Sequence, residues 1–194
     1  TLSTFFGRDV TLARVAPDDY TIDQYHPDVE NLGPAGHRNT SVEQKLGSAL
    51  FKEMGVDSPL PSGSFMDVFP ISVITTSTLD HLHELRPESN FDVRRFRMNV
   101  IVKTSDPGFV ENSWVGSTLT IGNNVQFVVT MPDPRCVMTT LPQNEIPKDI
   151  NVLRTLVEHN RLDIMGSGKF PCAGVYAVIA AGGSVQVHDT VEIE

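Results

Sequence analysis

The residues best suited to chemistry are the six from Arg135 to Thr140, which read Arg-Cys-Val-Met-Thr-Thr. Cys136 is one of only two cysteines in 194 residues. A neighbouring guanidinium favours the thiolate form of a thiol, and the thiolate binds metals and attacks electrophiles. The polar neighbours Arg135, Thr139 and Thr140 argue against an inert core cysteine. Cys136 is therefore a candidate metal ligand or nucleophile.

A second candidate is the cluster Arg94-Arg95-Phe96-Arg97 at the start of a predicted strand over residues 96–103. The two-residue period of a strand would place Arg95 and Arg97 on one face and Arg94 with Phe96 on the other. Arginine binds phosphate and carboxylate groups bidentately. The cluster is thus either an anion-binding clamp or a charged edge strand.

The histidines show no spacing typical of a metal site. His81 and His83 are two residues apart on a predicted helix, so their side chains project about 200° apart. The others are scattered along the chain, and the sequence argues for no zinc site. They are His26, His37, His159 and His188.

Known catalytic and phosphate-binding motifs are also missing. The chain has no G-x-S-x-G elbow, no G-x-G-x-x-G and no Walker A loop. The Gly166–Lys169 segment is glycine-rich and basic but lacks the rest of a P-loop. It is therefore interpreted as a flexible connection.

Composition excludes several classes of protein. The net charge of −9 disfavours nucleic-acid binding, which relies on clustered Lys and Arg. No apolar run approaches the roughly 18 residues that a membrane helix needs. Two cysteines are too few for a secreted disulfide scaffold, so we expect a reduced, cytoplasmic protein. Since the chain starts at Thr1, we also expect it to begin within a longer protein.

The pattern of residues 1–64 predicts a region that precedes the main domain. Alternation over residues 8–16 predicts a strand, and the polar stretch 17–40 predicts a long loop. Apolar residues at helical spacing predict a helix over 42–54.

Residues 65–194 are predicted to form a mainly β domain of the α+β class, a β-barrel with a few short helices, because many short strands follow one another closely. A turn over residues 132–134 is predicted just before Cys136. Asp149 is predicted to cap the second helix. The strands are predicted at 68–75, 96–103, 125–131, 174–180 and 184–193, and the helices at 77–86 and 149–160.

Several motifs occur in a characteristic order across this second region. They are Phe69–Ser72, Phe96–Val102, Glu111–Trp114, Leu119–Gly122, Arg135–Thr140, Gly174–Val178 and a Gly-x-x-x-Val-x-Asp end from Gly183 to Asp189. This order resembles the MOSC domain, which is named for the C-terminal part of molybdenum-cofactor sulfurase. Within that family the sequence is most similar to the mitochondrial amidoxime-reducing component and its bacterial relatives.

The resemblance implies a MOSC-type β-barrel that binds the molybdenum cofactor (Mo-molybdopterin), with Cys136 as the molybdenum ligand and catalytic residue. It implies reduction of N-hydroxylated small-molecule substrates with electrons from a separate donor protein. Pyridoxal phosphate binding is a further term used for the family as a whole. The other residues implied in cofactor binding are Arg97, Asn99, Arg135, Asp67, Thr139 and Thr140.

Departures from the family pattern keep two alternatives open. Met98 replaces the proline of the family's F-R-P-N motif, and Val68-Phe69 replaces two hydroxyl-bearing residues. These changes suit a binding or scaffold module that kept the barrel without the metal. The second alternative is that Cys136 acts as a sulfur carrier and passes a persulfide to an acceptor.

Overall fold

The chain divides into two units that do not follow the order of the sequence. A computed structural model describes all 194 residues. The first unit comprises Thr1–Ile22 and Glu43–Val68, and the second comprises Asp23–Val42 and Phe69–Glu194. All strands of the larger sheet lie in the second unit.

The first unit contains two short helices, α1 (Leu2–Phe6) and α2 (Gly47–Met54). The strand predicted over residues 8–16 is absent. This segment is mostly exposed, and no strand lies beside it. A segment with an alternating pattern forms a strand only where a neighbouring strand pairs with its backbone N–H and C=O groups. The Ala16 N–H instead donates to the Gly63 carbonyl oxygen at 2.8 Å.

A two-stranded sheet lies where a loop and the start of a helix were predicted. Strands β1 (Thr21–His26) and β2 (Thr40–Lys45) pair with each other. The prediction of a loop over 17–40 is therefore wrong for residues 21–26 and for residue 40, and α2 starts at Gly47 instead of residue 42. Exposure alternates along β2, so the two-residue period of a strand overrides the helical spacing there.

The second unit is built on a seven-stranded sheet. Its order is β4-β3-β8-β6-β5-β9, with β7 also pairing with β8. The β3–β4 pair is parallel and the other pairs are antiparallel. The strands are β3 (Ile71–Thr75), β4 (Val100–Val102), β5 (Thr118–Ile121), β6 (Val125–Pro134), β7 (Arg161–Asp163), β8 (Lys169–Ala181) and β9 (Val191–Ile193).

One hydrophobic core joins the two edge strands of this sheet. Val102 of β4 is part of the cluster that includes Leu119 and Phe127, and Val191 of β9 packs against the same cluster. Since both edges face one core, the sheet curls into a nearly closed barrel of six strands. The predicted mainly β barrel with a few short helices is confirmed.

A second core connects the barrel to helices α3 (Thr76–Leu85) and α4 (Asn151–His159). It contains Ile74 and Ala173 from the sheet, Leu82 from α3 and Leu156 from α4, together with Phe91 and Phe96. Phe96 is only 1% exposed, so this core fixes the position of the arginine-rich segment around it. None of the four helices has the length and apolar character needed to cross a membrane.

The arginine-rich segment is not a strand as predicted. Val93–Arg95 forms a short 3-10 turn, and β4 begins only at Val100. The Asp92 carboxylate accepts the Arg94 N–H at 3.0 Å and so starts this turn. The prediction that Arg95 and Arg97 share one strand face is therefore wrong, because the local capping bond outcompetes the extended conformation.

The turn predicted over residues 132–134 is also wrong, because β6 continues through Pro134. Two register shifts relative to β8 occur at these positions, between Val129 and Met131 and between Pro132 and Pro134. Irregularities of this kind accommodate prolines, which cannot donate to a regular ladder. At helix Asn151–His159 the N-cap is Ile150, so the prediction of Asp149 as the cap is wrong by one residue. The Asp149 carboxylate still accepts the N–H of Asn151, the first helical residue, at 2.9 Å.

A buried carboxylic acid lies at the start of α3. Glu111 is fully buried, and its Oε2 accepts the hydroxyls of Thr75 and Thr78 at 2.7 Å each. Burial raises the pKa of the Glu111 carboxyl, and the two hydroxyl donors offset this only in part. The folded protein therefore holds a proton on Glu111 at pH values where the unfolded chain has released it.

We expect Glu111→Gln to change the pH dependence of stability. The raised pKa stabilises the fold fully below the unfolded pKa, and this contribution is lost as pH rises through the folded pKa. The wild-type free energy of unfolding should thus fall relative to that of Glu111→Gln from about pH 5 upward. Chemical denaturation across that range, with the exposed Glu88→Gln as control, measures the difference. A difference that does not change with pH would contradict this assignment.

Candidate functional site

The candidate site is centred on the side chain of Arg135, just beyond the end of β6. Its Nη2 donates to the Phe96 carbonyl oxygen at 2.6 Å, and its guanidinium carbon lies 5.7 Å from the centre of the Phe96 ring. Cys136 follows Arg135 in the chain, and Arg97 follows Phe96. This hydrogen bond therefore links the two segments that the sequence marks for chemistry.

Asp133 is the counterion of Arg135. The Arg135 Nη1 donates to Asp133 Oδ2 at 2.5 Å, and the two side chains are only 12% and 1% exposed. Burial lowers the pKa of Arg135, but the neighbouring Asp133, Tyr176 and Cys136 outweigh it, so the pKa is raised overall. Arg135 therefore remains a buried cation whose charge is balanced within the site.

Strand geometry explains why this pair forms. Asp133 and Arg135 are two residues apart in extended chain, so their side chains lie on the same face. Strand β8 holds this end of β6 in place, because Pro134 pairs with Cys172 and the Arg135 N–H donates to the Pro171 carbonyl oxygen at 2.8 Å. The ion pair is thus fixed to the sheet by backbone bonds.

Cys136 is a free, half-buried thiol at the start of a 3-10 turn over Val137–Thr140. Its carbonyl oxygen accepts the Thr139 hydroxyl at 3.0 Å, and the Val137 carbonyl oxygen accepts the Thr140 hydroxyl at 2.7 Å. Both threonines are buried. Their hydroxyls therefore donate to the backbone of the turn that carries the thiol. The other cysteine, Cys172, is fully buried, and burial raises its pKa to about 12.

Hydrogen bonds of the Arg95 side chain link this turn to the arginine-rich segment. Its side chain is fully buried, and burial lowers its pKa. The guanidinium donates to the carbonyl oxygens of Thr139 and Leu141, both at 3.3 Å, and to that of Pro147 at 2.6 Å. Arg95 therefore does not belong to an anion clamp. The exposed Arg94 is also occupied, since it is paired with carboxylates on either side.

Arg97 is the exposed arginine of this segment that forms no ion pair. It is exposed, it takes part in none of the protein's ion pairs, and its φ of 54° is in the left-handed region, where residues other than glycine are uncommon. Backbone strain of this kind is concentrated at functional sites. Arg97 is thus held in an unfavourable conformation by the structure around it.

Asn99 is oriented by Ser72 of β3. Its Oδ1 accepts the Ser72 N–H at 2.8 Å and the Ser72 hydroxyl at 2.9 Å, so its amide NH2 remains available as a donor. Met98, between Arg97 and Asn99, packs over Gly174 of β8. A Cβ at Gly174 would clash with the Met98 methyl group and the Val73 carbonyl oxygen, which explains the glycine there.

Asp67, the remaining predicted cofactor contact, lies in the first unit. It is exposed, and its carbonyl oxygen accepts the Gly47 N–H at 2.6 Å. A cavity of about 220 Å³ in the first unit is lined by residues that include Tyr20, Ser48 and Lys52, and none of the predicted site residues lines it.

Sequence reasoning missed the residues that support the site. Tyr176 of β8 pairs with Ser72 of β3 and stacks on Phe69, with ring centres 5.4 Å apart. Asp133 was assigned to a turn, although the Asp-x-Arg spacing with Arg135 would have identified the ion pair in a strand. Tyr176 lies within the Gly174–Val178 motif, but that motif assigned it no role in the site.

Comparison with known proteins matches one family model to this region. The model, described as MOSC domain, covers residues 61–192 and thus contains β3 to β8, the first two residues of β9 and every residue of the site around Arg135. No curated protein matches the chain at a significant level.

We expect Asp133→Asn to destabilise the fold strongly, by about 3–5 kcal/mol, because it leaves the buried Arg135 charge uncompensated. Chemical denaturation of both proteins measures the loss. The matched control is Glu145→Gln, which breaks the exposed pair with Arg94 and should leave the free energy of unfolding nearly unchanged. Equal effects of the two substitutions would show that Arg135 does not depend on Asp133 for its charge balance.

Proposed function

Because the chain belongs to the MOSC domain family, we propose that it binds the molybdenum cofactor through Cys136 and reduces N-hydroxylated small molecules, with electrons from a separate donor protein. The observation that carries the proposal is the coupling of a free thiol to a buried cation. Arg135 precedes Cys136 and binds the residue before Arg97, so the thiol and an unpaired guanidinium belong to one structural unit.

The donor set fits such a cofactor. Soft thiolate sulfur is a suitable ligand for a metal that is also bound by dithiolene sulfurs. Cys136 is free and half-buried, and the positive charge of Arg135 acts on it. No group of three or more His, Cys, Asp or Glu side chains is arranged to hold an ion. A metal that brings its own sulfur ligands needs only one from the protein, and we assign that ligand to Cys136.

The other side chains divide into contacts and supports. Arg97, which is exposed and unpaired, would bind an anionic group of the cofactor, since its planar fork suits phosphate. Asn99 would donate a hydrogen bond from its free amide NH2, because Ser72 already occupies its oxygen. Arg135, held by Asp133 and the Phe96 carbonyl, is a positioning residue that places its positive charge beside Cys136 and fixes the backbone before it.

The proposed chemistry is shared between cofactor and protein. The bound cofactor supplies the redox chemistry, and the protein supplies binding, orientation and electrostatics. The buried hydroxyls of Thr139 and Thr140 stabilise the turn that begins at Cys136 by donating to its backbone carbonyl oxygens. Tyr176 and Phe69 form an aromatic wall beside Ser72, and we assign to this wall the contact with an apolar part of the substrate.

We expect the wild-type protein, produced in a host that makes the molybdenum cofactor, to retain molybdenum, and we expect Cys136→Ala to lose it while staying folded. The lost interaction is the thiolate–metal bond. Plasma mass spectrometry measures the metal, and circular dichroism checks the fold. Cys172→Ser is the matched control and should keep the metal, because Cys172 is buried on β8 with its thiol donating to the Phe170 carbonyl.

Full retention of molybdenum in folded Cys136→Ala would exclude Cys136 as the ligand. A wild-type protein that is folded but holds no molybdenum would overturn the proposed function as a whole. Testing activity is the second step: a metal-loaded wild-type protein should reduce an N-hydroxylated compound when a chemical reductant replaces the donor protein.

A further inference from the structure

The segment between β1 and β2 brings two histidines into contact. The rings of His26 and His37 lie 5.4 Å apart, with their planes at 50°. The His26 Nε2 is buried and has no hydrogen-bond partner. From this arrangement we propose that His26 and His37 form a binding site for a divalent transition-metal ion, distinct from the Cys136 site.

The spacing of the two rings matches that of imidazoles bound to one ion. A metal–nitrogen bond of about 2.1 Å puts the ring centre about 3.2 Å from the metal. Two such rings at a tetrahedral angle have centres about 5.2 Å apart. The observed 5.4 Å is close to this value, so the two rings are near enough to bind the same ion.

The chain around the pair is held by polar contacts on both sides. The Tyr25 hydroxyl donates to Asn39 Oδ1 at 2.8 Å, and Arg38 forms an ion pair with Asp28 at 2.6 Å. These two contacts link the residues beside His26 to those beside His37. The site is therefore closed by bonds that do not involve the imidazoles.

A packed anchor fixes the intervening segment to α4. Val29 and Leu32 lie between the two histidines in sequence, and both are buried against Leu153. A metal ion would thus meet two ligands whose backbones are already positioned, which lowers the entropic cost of binding.

The surroundings of the two imidazoles favour binding of a metal ion over binding of a proton. Burial lowers the pKa of His26, and the nearby His37 lowers it further. A neutral imidazole presents a lone pair, which is the form that binds metals. An unsatisfied buried polar atom is costly, and coordination would satisfy the His26 Nε2. Imidazole ligands suit Zn²⁺, Ni²⁺ and Cu²⁺.

Two protein ligands imply an exchangeable site. Because no third His, Cys, Asp or Glu side chain completes the group, water or a small ligand would occupy the other positions. The sequence gives no sign of the pair, since its members are brought together by a reversal of the chain and not by a short motif spacing.

The test is calorimetric titration of the cofactor-free protein with Zn²⁺ and with Ni²⁺. We expect one binding event per chain that His26→Ala and His37→Ala each weaken by at least about tenfold, as expected for loss of a ligand. His159→Ala removes an exposed histidine at the end of α4 and should bind like the wild type. His37 is itself exposed, so its replacement leaves the fold intact.

Two further results separate this site from the proposed cofactor site. Cys136→Ser should keep the histidine-dependent binding event, because that thiol is not part of the pair. The imidazole NMR resonances of His26 and His37 should shift together on addition of Zn²⁺. Equal affinity in His26→Ala, His37→Ala and the wild type would overturn the proposal, as would binding that is lost only with Cys136→Ser.

Discussion

A buried guanidinium needs a partner for its charge and acceptors for its hydrogen atoms, and at Arg135 these needs organise the site. Asp133 supplies the charge, and the Phe96 carbonyl supplies an acceptor. These contacts also position Arg97 and Cys136, because Arg97 follows Phe96 in the chain and Cys136 follows Arg135. The bonds of Arg135 to Asp133 and to the Phe96 carbonyl therefore fix the relative position of an unpaired arginine and a free thiol.

A second buried arginine extends this arrangement. Arg95 donates to backbone carbonyls of Thr139 and Leu141, so the same two segments are joined again on the other side of Cys136. Backbone carbonyls at the ends of short turns have no partners of their own, and a guanidinium with five donors satisfies several at once. The three arginines near Phe96 thus differ: Arg94 pairs with surface carboxylates, Arg95 donates to backbone carbonyls, and Arg97, which forms no ion pair, is the one proposed to bind the cofactor.

The sequence was informative where a regular pattern and burial agree. Alternation along β6, the close succession of short strands and the order of the family motifs together predicted the barrel. Prediction was wrong where local bonds override the pattern. The Asp92 cap turns the arginine cluster out of its predicted strand, and register shifts let β6 pass through two prolines. Residues 8–16 have the alternating pattern of a strand but no neighbouring strand to pair with. Which strands pair depends on the tertiary structure, so the pattern alone could not show this. The pairing of Asp133 with Arg135 and the meeting of His26 with His37 depend on chain geometry that no motif encodes.

The most direct test of this account is native-state hydrogen exchange in Arg135→Lys. Lysine keeps the charge for Asp133 but lacks the planar fork needed to bind the Phe96 carbonyl at the same time. If Arg135 joins the two segments, the amides of residues 95–99 and 139–141 should exchange faster together, while those of β5 in the barrel should be unchanged. Faster exchange confined to one of the two segments, or to neither, would contradict the claim that this side chain holds the site together.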